Sequence, residues 1–477
     1  MLFTSFEQFK SLSQVLDHLG LLFNAALRQI GIDWQALTEL AEKRKGALDI
    51  MRQAPVLWVW DNVEPIAGFP AGTPSAWTAA EQRELADFLR AALGELSNYY
   101  TAQYEGGNRG VIAALTAEEA NLLQARRLAQ AHGWYGRIIS AMQGLKMRYD
   151  HTGRRAEWRA LVAEIVPTFV DSATDGPLSG REEQYDFVMR YQVLLLHEQR
   201  RWADAARLQD LRVDYNRRQS APLLAVPPEQ LDDDQRNTLR SLAASLHQLG
   251  QIQREQGAAA CVASYQESYD LALRIGEHAV AAACSFTLGN AYKDISALRD
   301  LAQAEQWYRR ALELHAKHDN LGRGKTLGQL GLVARERFKE AQQAGQPGEV
   351  LLEHRNAALQ FYQQKQALDP PDAIDERAIT HHWLGLIYDD AGQTDQAIAH
   401  YRESIRYHEQ AGNLYGAAQT RENVALAYAH AGQLDDALLF ARAALRNYEQ
   451  FGPAAATEAE QARQRVARYE QALRGGG

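Results

Sequence analysis

Trp383-Leu384-Gly385-Leu386-Ile387-Tyr388, followed by Ala397, Tyr401 and Ser404, decides how this chain folds. A second stretch, Val424-Ala425-Leu426-Ala427-Tyr428 with Ala437, Ala441 and Ala444, follows the same template, and Ala425 stands 40 residues after Gly385. Each copy places a small residue, then Tyr three later, Ala nine later, Tyr or Ala four later and a small residue three later. Spacings of three, four and seven put side chains on one face of a helix. Gly392 and Gly432 stand between the halves, each suited to a left-handed helix C-cap. Each copy therefore reads as a helical hairpin with small residues where its helices touch. A period near 40 predicts stacked hairpins, a solenoid that works as a surface.

Looser copies lie upstream. Leu288-Gly289-Asn290-Ala291-Tyr292 leads to Ala304, Tyr308 and Ala311 across a longer turn. Leu249-Gly250-Gln251 leads to Cys261, Tyr265 and Ser268. Leu330-Gly331-Leu332 leads, past an insertion holding Gln346-Pro347-Gly348, to Ala358 and Tyr362. The glycines at 250, 289, 331 and 385 are separated by 39, 42 and 54 residues. These residues resemble the tetratricopeptide repeat (TPR) family in a longer-helix form. The resemblance implies an all-α, right-handed superhelical TPR solenoid over residues 236–452. Trp134, Ile138 and Met142, and separately Trp202, Ala205 and Ala206, suggest degenerate hairpins within 97–235. Residues 453–477 read as a capping helix with a frayed tail, and breaks are expected at 172–181 and 220–234.

Composition narrows the function. The chain has 477 residues, two cysteines and a net charge of −9 at pH 7. Cys261 and Cys284 make no disulfide framework and read as buried small residues. The acidic balance argues against general nucleic-acid binding. No signal-peptide pattern opens the chain and no run of 18 apolar residues spans a membrane, so a cytoplasmic location is expected.

Residues 1–96 do not follow the repeat. Pro55-Val56-Leu57-Trp58-Val59-Trp60 reads as a buried parallel strand ending in Asp61-Asn62-Val63-Glu64. It looks like the Walker B strand of the STAND class of P-loop NTPases, which place a nucleotide switch before a repeat array and serve in bacterial signalling and defence. That resemblance implies a small α/β remnant, with Asp61 as the Mg²⁺ carboxylate and Glu64 as the water-positioning acid. Leu2-Phe3-Thr4-Ser5-Phe6 looks like the strand that follows the P-loop helix in such proteins. Residues 1–54 contain no G-x-x-x-x-G-K-[ST] motif, and an Asp without a phosphate cradle gains little Mg²⁺ affinity. No cofactor is therefore expected, and the two acids read as strand-terminating. Mg-ATP binding is the alternative reading.

Other chemistry is absent from the pattern. Asp319-Asn320-Leu321-Gly322-Arg323-Gly324-Lys325-Thr326 ends in Gly-Lys-Thr, but Asp319 occupies the place of the first glycine, and no strand precedes it. It reads as an inter-repeat turn like Asn413-Leu414-Tyr415-Gly416. His381 and His382 diverge by roughly 100° on a helix, so they do not make a metal site with Asp389. No nucleophile triad or metalloprotease helix is visible. The sequence supports no catalytic assignment.

The remaining candidate is a groove. Side chains one and four places beyond the small residue of each first helix, with the one three before it, point away from the second helix. This selects His247, Gln251 and Arg254, then Phe286, Asn290 and Lys293, then Leu332 and Arg335. It also selects His382, Leu386 and Asp389, and from Ala425 it selects Leu426 and Ala429 with Glu422 before, while Asn423 joins the candidates by its side-chain identity. Arg254, Lys293 and Arg335 predict an exposed basic strip, suited to a protein or peptide with carboxylates, unless Glu255, Asp294 and Glu336 neutralise it. Some tetratricopeptide proteins clamp chaperone C-termini with lysines and asparagines. Asn290 and Asn423 suit that clamp, but His247 and Phe286 stand where lysine would be needed. An extended peptide or partner helix fits this mixed lining better.

Overall fold

The structure is a computed structural model that describes residues 2–5, 11–29, 31–53, 58–61, 78, 80, 83, 100, 103, 110–317, 319–370 and 372–475. Among these residues the fold is almost wholly helical. The chain divides into two compact units, Met1–Arg212 and Val213–Gly477.

In the first unit, strands β1 (Leu2–Ser5) and β2 (Trp58–Asp61) pair in parallel, with Leu2 opposite Trp58 and Ser5 opposite Asp61. Glu64 lies outside the described residues. Helices α1 (Leu12–Gln29) and α2 (Leu40–Gln53) pack around Trp34, whose indole N–H donates to Asp17 at 2.8 Å. Four helices follow as two hairpins: α3 (Val111–Ala131) with α4 (Tyr135–Thr152), and α5 (Arg155–Phe169) with α6 (Glu182–Glu198). Ile138 and Met142 are buried in α4, as the spacing predicts. Arg126 of α3, itself buried, forks onto the Glu164 carboxylate of α5 at 2.9 and 2.8 Å. The expected break at 172–181 is the α5–α6 connection. Helix α7 (Trp202–Ser220) holds the division between the units.

The second unit is a stack of hairpins that follows the 220–234 break. They are α8 (Asp233–Glu255) with α9 (Cys261–Arg274), α10 (His278–Asp294) with α11 (Leu301–Leu314), and α12 (Asn320–Gln343) with α13 (Gly348–Leu368). After them come α14 (Ile374–Asp390) with α15 (Thr394–Gln410), and α16 (Leu414–His430) with α17 (Leu434–Phe451), closed by α18 (Ala456–Gly475). The contact inside each hairpin is specific. A Cβ added to Gly250, Gly289, Gly331 or Gly385 would lie 2.5–2.6 Å from the ring of Tyr265, Tyr308, Tyr362 or Tyr401 respectively. Those four tyrosines are at most 1% exposed. In the last hairpin both partners are alanine, Ala425 and Ala441, each fully buried. The glycine exists to admit the ring.

The turns explain the rest of the template. Gly392 (φ 69°) and Gly432 (φ 75°) take the left-handed cap expected of them. Asp319 and Asn413 cap α12 and α16 by accepting the N–H of Gly322 and Gly416, both at 2.8 Å. The Gly-Lys-Thr stretch thus lies inside a helix and cradles no phosphate. The insertion before Ala358 lengthens the hairpin itself, since α12 and α13 run 24 and 21 residues.

One departure from the template has its own compensation. The position three after the tyrosine is Ser268, Ala311, Ser404 or Ala444 in four hairpins but Lys365 in the third. Gly324 and Gly328 make room for its stem, a Cβ on Gly328 lying 3.4 Å from the Lys365 side chain. The ammonium, 3% exposed, bonds Asp369 at 2.9 Å and Glu376 at 3.0 Å, joining the end of α13 to the start of α14. In the cap helix Glu460, Gln461, Arg463 and Arg468 form the outer face, while Glu458 and Arg465 turn inward to Tyr415 and Glu422 of α16.

Candidate functional site

All twelve side chains selected for the groove are partly buried and lie on the first helices α8, α10, α12, α14 and α16. Several cover the tyrosine rings. His247 lies over Tyr265 with centroids 5.4 Å apart, Phe286 over Tyr308 at 5.7 Å and His382 over Tyr401 at 6.1 Å. In the third hairpin the residue three before Gly331 is Gly328, and Trp383 of α14 stacks on Tyr362 instead, at 6.2 Å. The Tyr308 hydroxyl donates to Asn290 at 2.7 Å. The hydroxyls of Tyr265, Tyr362 and Tyr401 are buried without a partner among the described residues. Burial is the main cause that pushes all four hydroxyls above the ordinary tyrosine range, so they stay protonated donors.

The basic strip requires correction. Arg254 pairs with Glu255 at 3.0 Å and Lys293 with Asp294, as the neutralising alternative expects. Arg335 does not pair with Glu336. It reaches one hairpin further and forks onto Asp390, Nε–Oδ2 2.6 Å and Nη2–Oδ1 3.2 Å, with its guanidinium 5.8 Å from the Trp383 ring. Its side chain is only 11% exposed and that of Lys293 16%, so the expectation of an exposed strip position fails at both. Glu336 instead meets Arg299. The charges fall into two groups: Arg254 near Asp294, and Arg335 near Asp389 and Asp390.

The histidines carry no charge into this face near neutral pH. Desolvation pulls His247 down to about 4, helped by Arg254. It pulls His382 down to about 4 as well, helped by His408 and Arg335. Both bridge hairpins: His247 Nε2 lies 3.4 Å from the Thr287 hydroxyl, and His382 Nδ1 lies 2.9 Å from that of Thr420. Asn423 sits 3.5 Å from the other His382 nitrogen. His381 faces away from His382, with its Nδ1 3.0 Å from His400 Nδ1. Among the described residues, no group of three or more His, Cys, Asp or Glu side chains is placed to hold a metal. Both cysteines are buried, and desolvation raises the Cys284 thiol to about 11, far from a reactive thiolate.

Sequence reasoning missed Asp390, Trp383 and the tyrosine hydroxyls. The tyrosine spacing marks a helical face and carries no signal for the hydroxyl, whose end needs a partner wherever the ring is buried. Asp390 is one residue past the selected Asp389, and only the neighbouring hairpin reveals which carboxylate Arg335 can reach.

Residues 376–450 match the tetratricopeptide repeat family. The match covers α14 to α17, the two hairpins with the tightest template. No curated protein matches the chain. Among solved structures, the chain is similar to BtubC (BKLC) from P. vanneervenii, with 15% identity over 51% of this chain and 92% of that one, TM-score 0.38. It is similar to a Rap protein complexed with competence and sporulation factor, with 10% identity over 80% and 99% of the two chains, TM-score 0.39. It is also similar to the APC/C hetero-tetramer Cut9-Hcn1, with 12% identity over 97% and 78%, TM-score 0.41. Likenesses this distant say nothing of function. Among the described residues, no helix is long and apolar enough to cross a membrane.

Proposed function

We propose that this chain is a non-catalytic interaction scaffold or sensor arm, which holds an extended peptide or helix of a partner protein along the first-helix face of α8 to α16. The observation that carries the reading is the row of partly buried polar and apolar side chains over a ladder of tyrosines, three with unmet hydroxyls. A surface that sets the polar Gln251, Asn290 and Asn423 beside Phe286, Leu332, Leu386 and Leu426 suits a mixed peptide better than a reaction.

The two charged groups give the partner a direction. Glu255 and Asp294 are 40% and 53% exposed, so a partner carboxylate can displace them from Arg254 and Lys293. Arg335 is locked to Asp390 and offers its Trp383 side. Acidic residues of the partner therefore belong near α8 and α10, and apolar ones near α12 to α16. The experiment is to reverse Arg254 and Lys293 together and titrate the isolated partner at two ionic strengths. Weaker binding with a flatter salt dependence is expected. Unchanged affinity in the folded double variant would remove the site from this face.

A second reading keeps a nucleotide at the first unit. Its support is the parallel pairing of β1 with β2, which sets Asp61 at the C-terminal end of a strand, where ligands of parallel sheets collect. In that reading the chain is the repeat arm of a bacterial STAND-type switch in the cytoplasm, with Asp61 holding Mg-ATP. Calorimetric titration with Mg-ATP separates the two. Micromolar binding would displace the pure scaffold.

A further inference from the structure

Helices α5, α6 and α7 leave a cavity of about 550 Å³ in the first unit. Its apolar wall is Val162, Val166, Pro167, Leu195, Leu196 and Leu208. A volume of a few hundred Å³ with this lining is ordinary for a small-ligand site.

Three arginines also line it: Arg159, Arg201 and Arg207. Arg201 holds Asp204 and Arg207 holds Asp175, each at 2.6 Å, and both arginines are more than half exposed, so neither pair is strong. Asp204 is the one carboxylate of the lining. The cavity therefore has a positive rim over an apolar wall. Its acceptors point the same way. Pro167, inside α5, has no N–H to give the Ala163 carbonyl one turn earlier, and Ala163 also lines the cavity. Gln192 Oε1, another lining group, is buried with no hydrogen-bond partner among the described residues. A buried acceptor left unmet, as Gln192 Oε1 is, is costly unless a ligand supplies a donor, whereas the Ala163 carbonyl belongs to an exposed residue.

From these features we infer a binding site for an amphiphile with three parts: an apolar chain for the wall, an amide N–H for the acceptors and a carboxylate for the guanidiniums. This site is separate from the tetratricopeptide face and does not depend on it. Guanidinium forks bind carboxylates bidentately, which sets the direction of entry. A free acyl amino acid and the C-terminus of an apolar peptide share this chemistry.

The test uses the full chain and calorimetric titration with four probes. They are N-decanoylglycine below its micelle concentration, its glycinamide counterpart, and acetylated trileucine with a free or an amidated C-terminus. At least one acid is expected to bind one site per chain, tenfold or more tighter than its own amide. Which acid binds distinguishes the small amphiphile from the peptide end. Arg159→Gln, at an exposed position, should weaken binding about tenfold, and Ala163→Trp, which fills the cavity from an exposed helical position, should abolish it. The inference is overturned if neither acid binds, if acid and amide bind alike, or if binding survives both substitutions unchanged.

Discussion

Replacing Gly385 by alanine tests the packing rule on which the stack depends. The new Cβ would lie 2.5 Å from Tyr401 ring atoms, and the fully buried ring has little room to retreat. Overpacking of this kind costs about 1–3 kcal/mol. Tyr401→Ala alone should cost about 3–5 kcal/mol through the cavity it leaves. In the double variant the clash is gone, and alanine's better helix propensity returns roughly 0.5–1 kcal/mol. The last hairpin already uses that pairing, with Ala425 against Ala441. The substitution should therefore change sign with background, a coupling of about 2 kcal/mol or more. Hydrogen exchange of the α14 and α15 amides is the assay, because contacts in a repeat array are local and opening can be read hairpin by hairpin. Protection should fall about tenfold or more with Gly385→Ala, and should rise when the same change is made in Tyr401→Ala. An equal loss in both backgrounds would refute the glycine–tyrosine rule.

Three further outcomes follow from named contacts. Lys365→Ala leaves Asp369, 5% exposed, with a buried charge and no cation, and should destabilise the second unit by about 3–5 kcal/mol in chemical denaturation; a loss under roughly 0.5 kcal/mol would deny that the pair is buried. Arg335→Glu should cost stability by setting a second carboxylate against Asp390, whereas Lys293→Glu should cost little, and equal midpoints for the two variants would contradict the division into locked and exchangeable cations. His247 and His382 have folded-state values near 4 against an ordinary value of 6.5, so the unfolded chain binds more protons between those limits. Stability is full above about pH 6.5 and falls as pH drops toward 4, and replacing both histidines by asparagine should flatten the denaturation midpoint across that window; an unflattened curve would assign the loss to other groups.

Much of this fold was legible because its decisive contacts recur at helical spacing within one hairpin. Gly385 and Tyr401 are 16 residues apart, and the same chemistry repeats from Gly250 onward. The left-handed glycines and the Asp319 and Asn413 caps are equally local. Contacts between hairpins were not legible. Arg335 meets Asp390 across 55 residues, and the choice between Asp389 and Asp390 is a rotation of roughly 100° that depends on how α14 sits against α12. Lys365 broke the small-residue pattern without revealing that Gly324 and Gly328 compensate. The pairings of Arg254 with Glu255 and Lys293 with Asp294 were legible as sequence neighbours, whereas the partner of Arg335 lies on the next hairpin. The α5–α7 cavity comes from three helices whose repeat is too degenerate to align.

The claim that the first-helix face holds the partner can be tested by site-specific photo-crosslinking. A benzophenone side chain is placed at Gln251, Asn290 or Leu332 on that face, and at Leu439 on second helix α17, where leucine is 60% exposed. The partner should be captured from the three first-helix positions, and less so after Arg254 and Lys293 are reversed, with none captured from Leu439. Capture from Leu439 alone, or equally from all four positions, would contradict the account.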